Sequence, residues 1–114
     1  MRKKLLWLDD YRNPFDEKID WLVFSPIGRN VDIDWVKTQT EFIDHIMIYG
    51  LPDAICFDHD LGTQNGDGYE CAKWLCYYCD FNNKKIPIYN VHSANPVGKL
   101  NIVSYLENYI KHNE

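Results

Sequence analysis

Residues 53–62 read DAICFDHDLG, a short apolar run that ends on three titratable side chains in succession, Asp58, His59 and Asp60. The run is too short for a helix and is bounded by polar residues, so 53–57 (DAICF) reads as a buried strand. A metal site, a catalytic site and an ordinary turn can all place an acid, an imidazole and a second acid at a strand end, and Asp alone is a common turn residue. What the chain puts at the ends of its other strands decides among them.

Working outward, KLLWL (4–8) stops abruptly at Asp9-Asp10, and IPIYNV (86–91) runs into His92-Ser93. VDIDWV (31–36) alternates apolar and polar residues, as a strand with one covered face does. Thr38 and Glu41 form a capping box that opens a helix carrying Phe42, Ile43, Ile46 and Met47 at helical spacing until Gly50 stops it. GYECAKWLCYY (68–78) is helical, with Ala72, Leu75, Cys76 and Cys79 on its inner face. Pro96 opens a last helix lined by Ile102, Val103, Leu106, Tyr109 and Ile110. In residues 15–30, Ile19, Leu22 and Val23 have helical spacing, but Pro26 and Gly28 limit them to a short helix or an irregular excursion. Strands alternating with helices predict one α/β three-layer domain over 1–114, with a mainly parallel sheet of about four strands. The ligand crevice of such a sheet lies outside the carboxyl ends of its strands.

The formal charge of −5 and the absence of any basic run longer than RKK (2–4) argue against a duplex-DNA binder. A small phosphate-bearing substrate remains open, because a divalent cation can supply positive charge. The opening MRKKLLWLDD has too few apolar residues for a secretory signal, and no stretch is apolar enough to span a membrane, so a cytoplasmic location is expected. In that setting Cys56, Cys71, Cys76 and Cys79 read as free structural thiols. The pair Cys76 and Cys79 falls at the wrong end of its helix for a redox motif.

The predicted topology brings Asp9, Asp10, Asp58, His59, Asp60, His92 and Ser93 to one sheet edge. Converging carboxylates repel unless a cation or proton intervenes, and an oxygen-only donor set suits Mg²⁺ or Mn²⁺. His59 and His92 are candidates for general acid and base. Asp60 either orients a histidine or caps the turn into Leu61-Gly62. Ser93 and amides near Gly62 and Gly98 are candidate phosphate donors, Arg12 a bidentate one, and Lys99 lies in the first turn of the last helix. His45 and His112 are expected to be packed or solvated.

The order of these motifs resembles a response-regulator receiver domain, of flavodoxin-like fold. Asp9-Asp10 match the receiver's metal-binding acids, Asp58 its phosphoacceptor position, Asp67-Gly68 the end of its following loop, and Ser93 its Ser/Thr position. Only 21 residues follow Ser93, enough for one helix, so the fifth strand and its lysine are expected to be missing, and Lys99 comes too early to replace that lysine. The strings LWLDDYRNP, FDHDLG and HSANPVG resemble more closely the cyclic-phosphate-processing receiver-like domains. That resemblance implies a metal-assisted phosphoesterase acting on a cyclic phosphate of an RNA end or a nucleotide, in RNA repair or bacterium–phage conflict. It implies metal held by Asp9, Asp10 and Asp58, protons moved by His59 and His92, and phosphate oriented by Ser93 and Asn95. Two other readings stay open. One is a pseudo-receiver signalling domain phosphorylated on Asp58. The other is a non-catalytic module binding a nucleotide or a protein, with Trp7, Tyr11, Trp21 and Trp35 as candidate base-stacking residues, core packing being their alternative.

Overall fold

Both faces of the central strands are apolar, and the chain covers each face by different means. The computed structural model describes residues 2–62 and 66–113. Strands β1 (Lys3–Leu8), β2 (Val31–Val36), β3 (Ala54–Phe57) and β4 (Ile88–Val91) form one parallel sheet in the order β2-β1-β3-β4. Successive side chains of a strand point to opposite faces. Leu6 and Leu8, with Ile55 and Phe57, therefore enter one core, where Phe42, Ile46, Leu75, Ile102 and Leu106 meet them from helices α2 (Gln39–Tyr49), α3 (Gly68–Asn82) and α4 (Pro96–His112). Leu5, Trp7, Ala54 and Cys56 face the other way, onto Ile19, Trp21, Phe24 and Ile27.

The second covering layer is thin. Its one regular piece is the turn α1 (Trp21–Phe24), set in the irregular path that the Pro26 and Gly28 signals predict. The three layers are present, but the long helices share one face.

Local chemistry sets the element ends. Thr38 Oγ1 accepts the Glu41 amide at 3.0 Å, the first half of the capping box read from sequence, while Glu41 Oε1 accepts the amide of Lys37, one residue before the cap, at 3.2 Å. Helix α3 runs past residue 78 to Asn82, because Cys79 continues its buried stripe, and it ends on Asn83 in the left-handed region at φ 55°. Strand β4 starts at Ile88 and not at Ile86, since Pro87 has no N–H for the ladder. Met47 does not face the core: α2 buries only Phe42 and Ile46, and Met47 is 64% exposed. All four cysteines are buried free thiols, and burial pushes Cys56 and Cys76 up to about 12. Among the described residues no helix is long and apolar enough to cross a membrane.

Candidate active site

The last rungs of the parallel ladders set the site. The Asp9 amide donates to the Val36 carbonyl at 3.1 Å, the Asp58 amide to Leu8 at 2.9 Å, and the His92 amide to Phe57 at 2.9 Å. Three strand ends thus finish in register. Their side chains meet at the carboxyl edge of the sheet, where the alternation of elements places the crevice.

Asp9, Asp10 and Asp58 each offer one carboxylate oxygen, and these oxygens lie within 4.8 Å of one another. Asp9 and Asp58 are buried, whereas Asp10 is exposed. The two buried acids are pushed in opposite directions. Burial raises Asp9, but the His92 hydrogen bond and the amides of Arg12 and Tyr11 outweigh it and hold the carboxyl below its ordinary value. Asp58 rises from 3.8 to about 6, because of burial first and the Asp9 charge second, with His92 and the Ser93 hydroxyl opposing. One anion is locked in place and its neighbour is held back from ionising.

Asp9 is the hub. Its Oδ1 accepts the amides of Tyr11 and Arg12, both at 2.9 Å, and its Oδ2 accepts the Nε2–H of His92 at 2.9 Å. The Arg12 guanidinium lies 3.6 Å from Asp9 Oδ2, donates to the His92 carbonyl at 3.3 Å, and stays about one third exposed (32%). The acids fit a hard divalent cation. They form an oxygen-only cluster, and Asp9 Oδ2 keeps a lone pair that the His92 bond does not use. Three single carboxylate oxygens would leave about half of an octahedral shell to water, which suits Mg²⁺ better than Ca²⁺ with its six to eight oxygen ligands.

The histidines part company. The His92 side chain has no exposed surface, stacks on the Trp7 ring at 4.4 Å and 15°, and lies 5.5 Å from the Phe24 ring. Its Nδ1 is buried without a partner among the described residues. The structure thus sets the His92 ring behind Asp9, with its Nε2–H committed to that carboxylate. His59 turns the other way. Asp60 Oδ1 accepts its Nδ1–H at 2.8 Å, which directs the lone pair to Nε2. His59 and Asp60, with Leu61, Gly62, Gly66 and Asp67, line a shallow open cleft.

Two glycines admit that histidine. A Cβ on Gly98 would lie 2.4 Å from His59 Cγ, and one on Gly68 would lie 2.0 Å from the Asp58 carbonyl oxygen. Gly98 thus has a steric role, and its own amide is bonded to Asn95 Oδ1 at 3.0 Å. Asn95 is the N-cap of α4, with its own amide on Ser93 Oγ at 3.1 Å. Lys99 is exposed in the first turn of that helix. His45 pairs with Asp34 at 3.1 Å, and His112 bonds the Asn108 carbonyl, both away from the acidic cluster.

A family model described as the cyclic-phosphate processing receiver domain matches residues 4–108. The chain belongs to that family. The likeness to this receiver domain extends to solved structures. A yeast Spc42 trimeric coiled-coil segment fused to another structure superposes with a TM-score of 0.61 at 21% identity. The match covers 91% of the receiver domain but 63% of that chain, and it speaks to fold alone. No curated protein matches the receiver domain.

Sequence reading missed the part played by two tryptophans. The Trp7 indole N–H donates to the Arg12 carbonyl at 3.0 Å, and the Trp35 indole N–H to the Asp9 carbonyl at 2.7 Å. Trp7 is fully buried, so it is no base-stacking surface. Their position two residues before each strand's acidic or polar end was visible in the sequence, but the target of an indole N–H is not.

Proposed function

We propose that this receiver domain is a metal-assisted phosphoesterase that opens a cyclic phosphate on an RNA end or a nucleotide, in RNA repair or bacterium–phage conflict. The observation that carries the reading is the convergence of Asp9, Asp10 and Asp58 at one sheet edge; the residue that follows Asp58 in the chain, His59, has its Nδ1 held by Asp60. Asp9, Asp10 and Asp58 would hold Mg²⁺ or Mn²⁺, which when bound neutralises phosphoryl oxygens and lowers the pKa of a bound water.

The chain's own residues do the rest. Opening the ring by hydrolysis forms a bond from a water oxygen to phosphorus and breaks one ring P–O bond. One water proton leaves the nucleophile and one proton ends on the departing oxygen. His59 Nε2 is the group suited to move it, since imidazole exchanges protons near neutral pH and the Asp60 contact fixes its tautomer. Arg12 is anchored on its inner side by Asp9 and the His92 carbonyl, and its exposed donors reach toward a phosphate oxygen. Lys99 adds positive charge at the α4 end, and Ser93 and Asn95 shape the loop between. His92 acts through Asp9 and does not meet the substrate.

This division of labour predicts a split between the histidines. His59→Ala is expected to slow ring opening by about 10²–10⁴-fold. Asp60→Asn, which weakens control of the tautomer without removing the imidazole, is expected to cost less and to distort the pH–rate profile. Rates followed by chromatography of a cyclic nucleotide with Mg²⁺ measure both, and an unchanged rate in His59→Ala removes His59 from the mechanism.

A further inference from the structure

The turn Asp9–Arg12 carries two of the three cluster acids and the arginine, yet it has no regular secondary structure of its own. What fixes it is a pair of indoles reaching from different strands. Trp7, on β1, holds the Arg12 carbonyl at 3.0 Å, and Trp35, on the edge strand β2, holds the Asp9 carbonyl at 2.7 Å. The backbone is thus gripped at both ends of the turn. Inside it, Asp9 Oδ1 takes the Tyr11 and Arg12 amides. The carboxylate of Asp9 and the backbone under Asp10 inherit whatever freedom those two carbonyls have.

We infer that Trp35 and Trp7 are positioning residues for the cation site, acting through the two ends of the Asp9–Arg12 turn. A buried indole N–H seeks a partner, and here both partners are carbonyls of that one turn. The Trp35 bond spans 26 residues of sequence and links the turn to the sheet edge. Its ring is also held from outside, with Lys37 Nζ 4.2 Å from the ring centroid. Trp7 has a second task, since it carries the His92 ring that bonds Asp9 Oδ2. The two indoles therefore constrain Asp9 from its carbonyl, from its carboxylate and from the far end of its turn.

The inference rests on the reading of the acidic cluster as a cation site, and the experiment separates the two. Mn²⁺ alone is titrated into the wild type, Trp35→Phe and Trp21→Phe, with free Mn²⁺ followed by electron paramagnetic resonance. Phe keeps an aromatic body and removes only the N–H. Trp21→Phe is the control, an indole of the thin layer that packs on the same sheet face. Trp35→Phe is expected to weaken Mn²⁺ binding about three- to tenfold, the share of one net hydrogen bond, while Trp21→Phe leaves it unchanged. Equal affinity in wild type and Trp35→Phe overturns the inference. If the wild type binds no Mn²⁺, the cation reading fails, and amide hydrogen exchange then tests the clamp. Faster exchange at Tyr11 and Arg12 in Trp35→Phe upholds it, and unchanged exchange overturns it. Thermal melts of each variant show whether the whole fold has loosened, and a rise in exchange confined to Tyr11 and Arg12 is the signature that general destabilisation does not give.

Discussion

Asp58→Asn is expected to stabilise the metal-free protein at pH 7 by about 1–3 kcal/mol, raising Tm by roughly 5 °C or more, and to abolish its response to Mg²⁺. The reason is that Asp58 titrates near 6 in the fold against an ordinary 3.8, pushed up by burial and by the Asp9 charge. The folded state holds this proton to higher pH than the unfolded chain does. Stability therefore falls as pH rises from about 4 to about 6, and the penalty is fully present above that range. A gap of about two pH units corresponds to ~3 kcal/mol at most, and an amide recovers only part of it. Near pH 4 and below, the wild type carries a neutral acid there, so the advantage of the variant should vanish. A cation removes the same penalty by neutralising the cluster. The thermal shift that Mg²⁺ gives the wild type should accordingly be larger at pH 7.5 than at pH 5. A variant that melts below the wild type at pH 7 would show that Asp58 is not held back from ionising.

Asp9→Ala should do the opposite, costing about 3–5 kcal/mol, the usual result of removing one partner from a buried hydrogen-bonded pair. Its carboxylate satisfies the His92 Nε2–H and the amides of Tyr11 and Arg12, and the first of these bonds is buried. His92 would be left with both ring nitrogens unpaired on Trp7, since its Nδ1 already lacks a partner. Urea unfolding at pH 7 measures the loss. Adding His92→Phe to Asp9→Ala is expected to recover part of it, because an apolar ring in that place needs no hydrogen bond. The pH dependence also reverses. Asp9 sits below its ordinary value in the fold, so its contribution is present above 3.8 and is lost as pH falls through the folded value. The difference between wild type and Asp9→Ala should narrow in acid, whereas that between wild type and Asp58→Asn narrows by the loss of a penalty. Two neighbouring carboxylates with stability effects of opposite sign would be hard to obtain from an ordinary acidic turn.

The acidic edge was legible because strand ends announce themselves. KLLWL stops at Asp9-Asp10 and DAICF at Asp58, and no core residue type competes for those positions. The helix starts were legible through Thr38 and Pro96, whose chemistry is local. The side on which each histidine falls was not read, although the signal was present. Asn90 and His92 lie two apart, and Asn90 pairs in register with Cys56, which in turn pairs with Trp7. Counting in twos from that row sends His92 to the Trp7 face. Reading the strand ends alone gives no such direction, and it named His59 and His92 together as candidate acid and base. The bond of the Gly98 amide was not read either: whether an amide at a helix start is free depends on the cap residue three positions earlier, and Asn95 takes this one. The indole clamps were out of reach altogether, because Trp35 meets the Asp9 carbonyl only after β2 pairs with β1.

The most direct test of the catalytic reading is a phosphorus NMR time course of an RNA oligonucleotide ending in a cyclic phosphate, incubated with the protein and Mg²⁺. The cyclic resonance is expected to decay into that of a phosphate monoester, EDTA to stop the conversion, and Asp58→Asn to show none. A cyclic resonance that stays constant, for the oligonucleotide and for a free cyclic nucleotide alike, while Mg²⁺ measurably stabilises the protein would contradict it.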